Sequence, residues 1–240
     1  MGHKGRVTGR AMGRFWDERA REDAFYFVDS SHAYRHPDQA RFWARGSERL
    51  NEPLGAVGAT LHGDETAVDL GCGIGRLTRA LADRVPAVHG FDVSAEMLRR
   101  ARSLNPEHAN ITWHHGDGTT LRPLRSASVD AAISNVVFQH IPDPAITLGY
   151  VREIGRVLRP GGWAAFQISN DPGLHDTRHR PPSRLRVALR RAPKGQRDPR
   201  WLGSAIDLGA LEQVAADAGM DVAQVAGRGT QYCHVRTVRR

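Results

Sequence analysis

The sequence has few cysteines and no long apolar segment. Its 240 residues include two cysteines, Cys72 and Cys233, too few for a disulfide framework, so a reducing cytoplasm is the expected compartment. Every stretch of 18 residues contains an Asp, Glu, Lys or Arg, so no membrane-spanning helix is expected. The basic N-terminal residues precede no apolar run, which argues against a secretory signal. These features predict a cytoplasmic protein with no membrane partner.

Lysine is almost absent, although the chain is basic. The formal net charge is +8, and only two of the 34 basic residues are lysines. Residues 178–200 contain nine basic residues and one acid, Asp198, an excess equal to the charge of the whole chain. Two explanations stay open for this segment. The first is that it is a solvated loop in an arginine-biased proteome. The second is that it is a flap at a substrate entrance, where Arg184 and Arg186 attract a phosphate or carboxylate.

Short apolar runs alternate with amphipathic stretches over residues 66–169. The runs predict strands at 67–70, 87–91, 110–113, 129–133 and 163–168. Apolar residues recur at helical spacing between them, and two further strands are predicted at 222–225 and 232–238. Strands that alternate with helices in this way form parallel βαβ units. The predicted fold class is therefore α/β, with a doubly wound sheet.

Helix boundaries and composition divide the rest of the chain. Asp143 and Pro144 predict the start of one helix, which Gly161 and Gly162 are expected to stop after Pro160. A later helix is expected from the cap Asp207 through Ala218. The chain is predicted to comprise a helical N-terminal segment and an α/β domain interrupted by a Pro- and Arg-rich insertion around a short basic helix. The N-terminal segment comprises residues 1–60, the α/β domain 61–240, the insertion about 171–203 and the basic helix 183–191.

The clearest local motif lies between Val68 and Leu77. Here an apolar strand leads into Gly71, Gly73 and Gly75, and a helix begins immediately afterwards. Glycines at such a junction permit positive φ and let a ligand approach the backbone, while the helix start offers free N–H groups. Dinucleotide-binding enzymes use the spacing G-x-G-x-x-G at this place. In this chain the glycines instead alternate with other residues.

Carboxylates follow the next two predicted strands. Asp92 lies 21 residues after Gly71, where it can accept hydrogen bonds from both hydroxyls of a ribose. Asp117, between Gly116 and Gly118, follows the third strand and should lie at the same edge of the sheet. Up to Asp92, a nicotinamide dinucleotide and a nucleoside-bearing methyl donor fit equally well. The second carboxylate favours the methyl donor.

With the segments 134–143 and 158–162 added, five motifs in order make residues 65–170 resemble the class I S-adenosylmethionine-dependent methyltransferases. The resemblance is strongest to the small-molecule subset named for ubiquinone and menaquinone biosynthesis, or methyltransferase type 11. It implies a Rossmann-like, seven-stranded sheet whose last strand is antiparallel, with residues 1–60 as a helical lid. The implied cofactor is S-adenosyl-L-methionine, and the product is S-adenosyl-L-homocysteine. Many relatives carry Glu at the position of Asp69, and the shorter carboxylate is expected to serve there.

The resemblance also implies roles for individual residues. The loop at 69–75 holds the methionine part of the donor and Asp92 its ribose. Met97 packs on the adenine, Asp117 accepts its amino group, and Asn135 passes close to the sulfonium. The implied cofactor-binding residues are Asp69, Gly71, Cys72, Gly73, Gly75, Asp92, Val93, Met97, Gly116, Asp117, Gly118, Asn135 and Val136, with Trp16 and Arg19 from the lid.

Transfer of an activated methyl group needs little acid–base equipment. Attack on the sulfonium methyl is an in-line displacement governed by proximity, and a base is needed only for a protonated nucleophile. His140 is the candidate catalytic base, and the alternative is that it packs or hydrogen-bonds at the start of the next helix. The candidate substrate contacts are Tyr26, Phe138 and His140, together with Arg184 and Arg186.

The expected function is methyl transfer to O, N or C of a small-molecule metabolite, with the basic segment permitting an anionic acceptor. An RNA methyltransferase that uses residues 178–200 is the alternative. It is disfavoured because amino-methylating nucleic-acid enzymes end strand four with Asn or Asp, two prolines and an aromatic residue, whereas this chain has Asn135, Val136 and Val137 there. A nicotinamide oxidoreductase and a donor-binding fold without an acceptor site are weaker alternatives. We expect a monomer or homodimer without a metal.

Overall fold

One seven-stranded sheet organises the protein. The structure is a computed structural model that describes residues 9–176, 187 and 192–240. The strands are β1 (Thr66–Leu70), β2 (Ala87–Asp92), β3 (Ile111–His115), β4 (Val129–Ser134), β5 (Leu158–Ile168), β6 (Met220–Ala226) and β7 (Cys233–Arg239). Their order in the sheet is β3-β2-β1-β4-β5-β7-β6, and β7 is antiparallel to both of its neighbours. The predicted doubly wound sheet with an antiparallel last strand is confirmed.

Helices flank the sheet. They are α1 (Gly9–Val28), α2 (Gln39–Ala44), α3 (Gly46–Ala56), α4 (Arg76–Ala82), α5 (Ala95–Leu104), α6 (Pro144–Val157), α7 (Pro172–Asp176), α8 (Pro199–Leu202) and α9 (Leu208–Asp217), with a 3₁₀ turn at Phe138–His140. The predicted caps are confirmed, since the Asp143 carboxylate accepts from the N–H of Ala145 and that of Asp207 from the N–H of Ala210. Among the residues described, no helix has the length and apolarity needed to cross a lipid bilayer.

The predicted end of α6 is wrong. The helix ends at Val157, and β5 begins at the next residue. Leu158 has extended backbone angles and pairs with Val129 of β4, but the register shifts before Ala131 pairs with Trp163. The residues between Leu158 and Trp163 therefore form the irregular start of a strand rather than a helix-terminating turn.

Apolar side chains cover both faces of the sheet. On one face, α6 and α9 contribute residues such as Val151, Ile154 and Leu211 to the larger cluster. On the other face, α3 and α4 contribute residues such as Leu50 and Leu81. Burying helices on both faces leaves the carboxyl ends of β1, β2 and β4 as the accessible edge, where ligands bind in folds of this kind.

Helix α1 lies over the loops that follow β2 and β3. A Cβ atom added at Gly13 would lie 2.8 Å from the carbonyl oxygen of Val93, and one added at Gly9 would lie 1.9 Å from that of Asp117. The Asp17 carboxylate also accepts hydrogen bonds from the start of α5, from the Ser94 hydroxyl at 2.7 Å and the Glu96 N–H at 3.0 Å. The helix therefore rests on the carboxyl edge of the sheet. That residues 1–60 act as a lid stays a prediction.

Residues 192–203, here called the strap, cross over α1. Arg200 donates a hydrogen bond to the carbonyl of Ala11 at 2.9 Å, and the N–H of Lys194 donates to the Glu22 carboxylate at 2.9 Å. The predicted substrate contacts Arg184 and Arg186 lie outside the described residues, as does the predicted basic helix at 183–191 apart from residue 187. The C-terminal part of the predicted insertion is thus a contact between the α/β domain and α1.

Candidate active site

A cavity of about 870 Å³ opens at the carboxyl edge of the sheet, beneath α1 and the strap. This volume is at the upper end of the range of about 300–1,000 Å³ for small-molecule sites. Thirteen of the predicted site residues line the cavity: Trp16, Asp69, Gly71, Cys72, Gly73, Asp92, Val93, Met97, Gly116, Asn135, Val136, Phe138 and His140. Five others are described but do not line it: Arg19, Tyr26, Gly75, Asp117 and Gly118.

The glycine loop has the backbone conformation that its sequence predicts. Gly71, Gly73 and Gly75 have φ values of 80°, 55° and 93°, a region that side chains disfavour. A Cβ at Gly71 would lie 2.3 Å from a Val137 methyl carbon, so the loop also packs too closely for a side chain. Gly75 contacts Trp113 rather than the cavity, and we assign it to packing at the start of α4.

The Asp92 carboxylate forms hydrogen bonds within the protein and keeps lone pairs available for a ligand. Its carboxylate accepts hydrogen bonds from the N–H of Gly73 at 2.9 Å and the N–H of Ser94 at 2.8 Å, one on each oxygen. Each carboxylate oxygen has a second lone pair, so two hydroxyls of a ribose can still be accepted. The neighbouring Asp69 accepts from the Thr78 hydroxyl at 2.6 Å. The protein thus holds two carboxylates against a glycine loop, as a cationic nucleoside ligand requires.

Burial raises the pKa of both carboxyl groups. The pKa of Asp92 rises to about 6, mainly because the group is desolvated. The pKa of Asp69 also rises to about 6, through desolvation and then through the nearby charge of Asp92. Two desolvated carboxylates close to each other, one fully and one partly buried, favour a ligand with positive charge. The sulfonium and ammonium groups of S-adenosylmethionine supply that charge, so these residues fit the donor.

Of the two residues predicted to contact the adenine, Met97 lines the cavity and Asp117 does not. Met97 is buried and lines the cavity beside Val93 and Gly116. The Asp117 carboxylate instead accepts four hydrogen bonds, from the N–H and hydroxyl groups of Thr119 and Thr120. It therefore holds the turn after β3. Its contact with the adenine amino group stays a prediction.

Of the three predicted lid residues, one lines the cavity and two do not. Trp16 lines the cavity, with its ring centroid 5.6 Å from that of His140. The Arg19 guanidinium lies over the rings of Phe15 and Phe27, at 5.2 and 5.6 Å. The Tyr26 hydroxyl accepts from Gln196 of the strap at 3.3 Å, and it is Gln196 that lines the cavity. Arg19 and Tyr26 thus contribute to packing around α1, and their ligand contacts stay predictions.

Both ring nitrogens of His140 form hydrogen bonds within the protein. Nδ1 donates to the carbonyl of Trp201 at 2.6 Å, which leaves Nε2 as an acceptor, and Nε2 lies 3.2 Å from the amide nitrogen of Gln139. Burial lowers the pKa of His140 to about 4. The ring is therefore neutral at physiological pH and lacks a free lone pair. Its role as a base stays a prediction.

Comparison with known proteins adds two findings to this geometry. A family model described as a methyltransferase domain matches residues 68–166. Trans-aconitate 2-methyltransferase of Azoarcus sp. (strain BH72) is 37% identical over 179 residues, covering 68% of this chain and 68% of that protein. The chain belongs to the class I S-adenosylmethionine-dependent methyltransferases.

Other relatives of the methyltransferase support the same placement. Malonyl-[acyl-carrier protein] O-methyltransferase of Pectobacterium atrosepticum is 33% identical over 145 residues, covering 60% of this chain and 51% of that protein. Among solved structures, an S-adenosylmethionine-dependent methyltransferase from Mesorhizobium loti superposes with a TM-score of 0.56 at 24% identity, covering 79% of this chain and 95% of that one. At this identity the structural match supports the fold alone.

The raised pKa values predict a pH dependence of donor binding by the methyltransferase. Below about pH 6 the free enzyme protonates Asp92 and Asp69, whereas the cationic donor binds the ionised form. We expect affinity for S-adenosylmethionine to fall as the pH decreases through about 6, approaching tenfold per pH unit for one released proton. Calorimetry in two buffers of different ionisation enthalpy measures both affinity and proton release. A pH-independent affinity from pH 5 to 8, without proton release, would contradict this assignment.

Sequence reasoning missed an ion pair in the methyltransferase site. Arg76, the first residue of α4, pairs with Asp29, which follows α1, and both residues line the cavity. Burial acts to raise the pKa of Asp29, but hydrogen bonds from Ser31 and the charge of Arg76 outweigh it and lower the pKa to about 2. The pair joins α1 to the glycine-loop helix. No motif marks it because its residues are 47 positions apart.

Sequence reasoning also missed Gln167, a fully buried residue of β5. Its side-chain oxygen accepts from the N–H of Val136 at 3.1 Å, and its amide donates to Gln139 at 3.1 Å. Val136 has φ 59°, a strained conformation for a β-branched residue. Gln167 therefore holds the turn after β4 and connects it to His140. A lone Gln in an apolar strand was the available signal.

Proposed function

We propose that the methyltransferase transfers the methyl group of S-adenosylmethionine to a carboxylate oxygen of a small organic acid. The observation that supports this most directly is that the two nitrogens of His140 already have hydrogen-bond partners. A carboxylate is ionised at neutral pH and needs no base. Two relatives are named for acids or acyl groups of this kind, trans-aconitate and malonyl.

His175 and Tyr150, two further titratable residues of the cavity, fit a nucleophile that is already ionised. His175 donates from Nδ1 to the carbonyl of Leu202 at 2.6 Å and accepts at Nε2 from the Ser169 hydroxyl at 2.7 Å. Burial raises the pKa of Tyr150 far above its usual value, so its phenol stays protonated. Neither group is positioned as a base. Alkoxide or amine formation would therefore receive little help from these residues.

The proposed mechanism follows from positioning. When bound, the donor supplies a methyl group on a cationic sulfur, and the acceptor oxygen displaces that sulfur in line to give a methyl ester and S-adenosylhomocysteine. Asp92 would hold the ribose and the glycine loop the methionine part of the donor, while the turn at 135–137 would form the wall beside the reacting atoms. Trp16 and Trp201 also line the cavity. Their indole rings would displace water that otherwise solvates the attacking carboxylate.

Labelled methyl transfer tests the proposal. We expect label from S-adenosylmethionine to appear on trans-aconitate or malonate, and to be released as methanol by alkali because a methyl ester is hydrolysed. Matched amides, alcohols and an RNA transcript should stay unlabelled. The variant His140→Asn, whose amide can keep the hydrogen bond to Trp201, should change kcat less than about fivefold, whereas loss of a base costs about 10²–10⁴. Alkali-stable label, or a large loss in His140→Asn, would contradict carboxylate methylation.

A further inference from the structure

Two exposed apolar side chains lie at the cavity mouth, between α3 and the start of β7. Val136 and Tyr232, 40% and 57% exposed, are the only large hydrophobic side chains exposed among residues 9–176 and 192–240. Both line the cavity. Val136 follows β4, and Tyr232 directly precedes β7. Isolated exposed apolar residues need no explanation, but two that face one opening suit contact with the carbon skeleton of a ligand.

His234 places an unpaired polar atom beside these residues. Its ring lines the cavity, and its Nδ1 atom is buried without a hydrogen-bond partner in the protein. Cys233 and Val235 are fully buried within the cluster on the opposite face of the sheet, so the alternation of β7 directs His234 toward the α3 face. A buried nitrogen without a partner is unfavourable in the free protein and is satisfied when a ligand supplies the partner.

Helix α3 supplies charge at the same opening. Arg49 and Glu52 both line the cavity and form an ion pair of 2.9 Å. The Glu52 side chain is 55% exposed and that of Arg49 29%, so Glu52 can turn to solvent at little cost. Burial lowers the pKa of His234, and the nearby negative charge of Glu52 acts against that shift. Asn135 donates to the carbonyl of Arg49 at 3.3 Å, which ties this charge to the turn after β4.

We propose that Arg49 and His234 bind a second, non-reacting carboxylate of the acceptor, so that the substrates are di- or tricarboxylic acids. This inference rests on the proposed carboxylate methylation. The Nδ1–H of His234 donates to the carboxylate, and the Arg49 guanidinium exchanges Glu52 for it. Val136 and Tyr232 contact the carbon skeleton between the two acid groups. The subsite orients one carboxylate toward the donor, which is the condition for in-line attack.

Because Glu52 pairs with Arg49, substitutions at these two residues should change the KM of the acceptor in opposite directions. Because it competes with the acceptor for Arg49, Glu52→Gln should lower the KM for trans-aconitate or malonate by about threefold or more. Arg49→Gln and His234→Leu should each raise that KM by about ten- to hundredfold, the usual loss for a hydrogen bond to a charged group. His234→Asn, whose amide nitrogen replaces Nδ1, should restore most of the affinity. A purely structural role would move all of these variants in the same direction.

The experiment measures KM and kcat for trans-aconitate, malonate and their monocarboxylate analogues, with S-adenosylhomocysteine binding as a check on folding. Shifts of opposite sign, with unchanged S-adenosylhomocysteine affinity and preference for the polyacids, support the subsite. The subsite is wrong if the wild type methylates these acids but the variants change KM less than twofold or all raise it. It is also wrong if monocarboxylates are methylated equally well. If the wild type methylates no carboxylate, the proposed function itself fails, and the subsite with it.

Discussion

Replacing Asp92 with alanine is expected to weaken donor binding by about two to four orders of magnitude. The substitution removes the proposed acceptor for two ribose hydroxyls and also leaves the N–H groups of Gly73 and Ser94 without their partner. Two hydrogen bonds to a charged group, at about 1.5–3 kcal/mol each, correspond to a loss of roughly 10²–10⁴ in affinity. Titration of S-adenosylhomocysteine into the variant by calorimetry measures this loss directly.

Asp117→Ala is the matched control. It removes a carboxylate at the same edge of the sheet, but one whose hydrogen bonds all go to Thr119 and Thr120. We expect less than a tenfold loss of affinity, arising from the loosened turn that carries Thr120 into the cavity. Equal losses in Asp92→Ala and Asp117→Ala would show instead that Asp117 contacts the adenine directly. A normal affinity in Asp92→Ala would remove the ribose assignment.

The local geometry of the proposed donor half could be predicted because its signals are local. Positive φ at Gly71, Gly73 and Gly75 follows from their place between a strand and a helix, and the position of Asp92 follows from the end of the next strand. Parallel strands bring such residues to one edge whatever the loops do. The same logic predicted that Asp117 would lie there, but not that its side chain would turn to its own threonines.

The proposed acceptor half could not be predicted, because its contacts join distant parts of the chain. Gln167 is a single polar residue in an apolar stretch, and His234 is one of several polar residues of β7. No spacing rule connects either residue with α3 or with the turn after β4. The basic composition of residues 178–200 permitted an arginine flap, and that flap stays a prediction because Arg184 and Arg186 lie outside the described residues. In the strap, the cavity-lining residues are Gln196, Trp201 and Leu202. Arg200, one of those basic residues, holds α1 instead.

Gly13→Ala is expected to displace α1 and weaken donor binding at least tenfold. The added methyl group would lie 2.8 Å from the carbonyl oxygen of Val93, and a backbone atom cannot swing away as a side chain can. Gly9→Ala would bring a methyl group to 1.9 Å from the carbonyl of Asp117, and a larger loss is expected. Because α1 lies on the loops after β2 and β3, its displacement opens the nucleoside end of the cavity to water.

Gly149→Ala provides the control that separates docking from helix propensity. Gly149 lies inside α6, and apart from its chain neighbours and the adjacent backbone of the helix no atom lies within 4 Å of an added Cβ. Alanine is favoured over glycine in a helix by up to about 1 kcal/mol, a gain that applies to Gly13 and Gly149 alike. Gly149→Ala should therefore raise the free energy of unfolding and leave donor affinity unchanged.

Hydrogen exchange distinguishes a docked α1 from a mobile one. With S-adenosylhomocysteine bound, we expect protected amides in α1 and the strap of the wild type and of Gly149→Ala, and faster exchange in both segments of Gly13→Ala. The strap should follow α1 because Arg200 bonds to Ala11, and release of Trp201 would then free Nδ1 of His140. Unchanged exchange and affinity in Gly13→Ala would show that α1 is not the cover of the donor site. Protection lost in α1 alone would separate the cover of the donor from that of the acceptor.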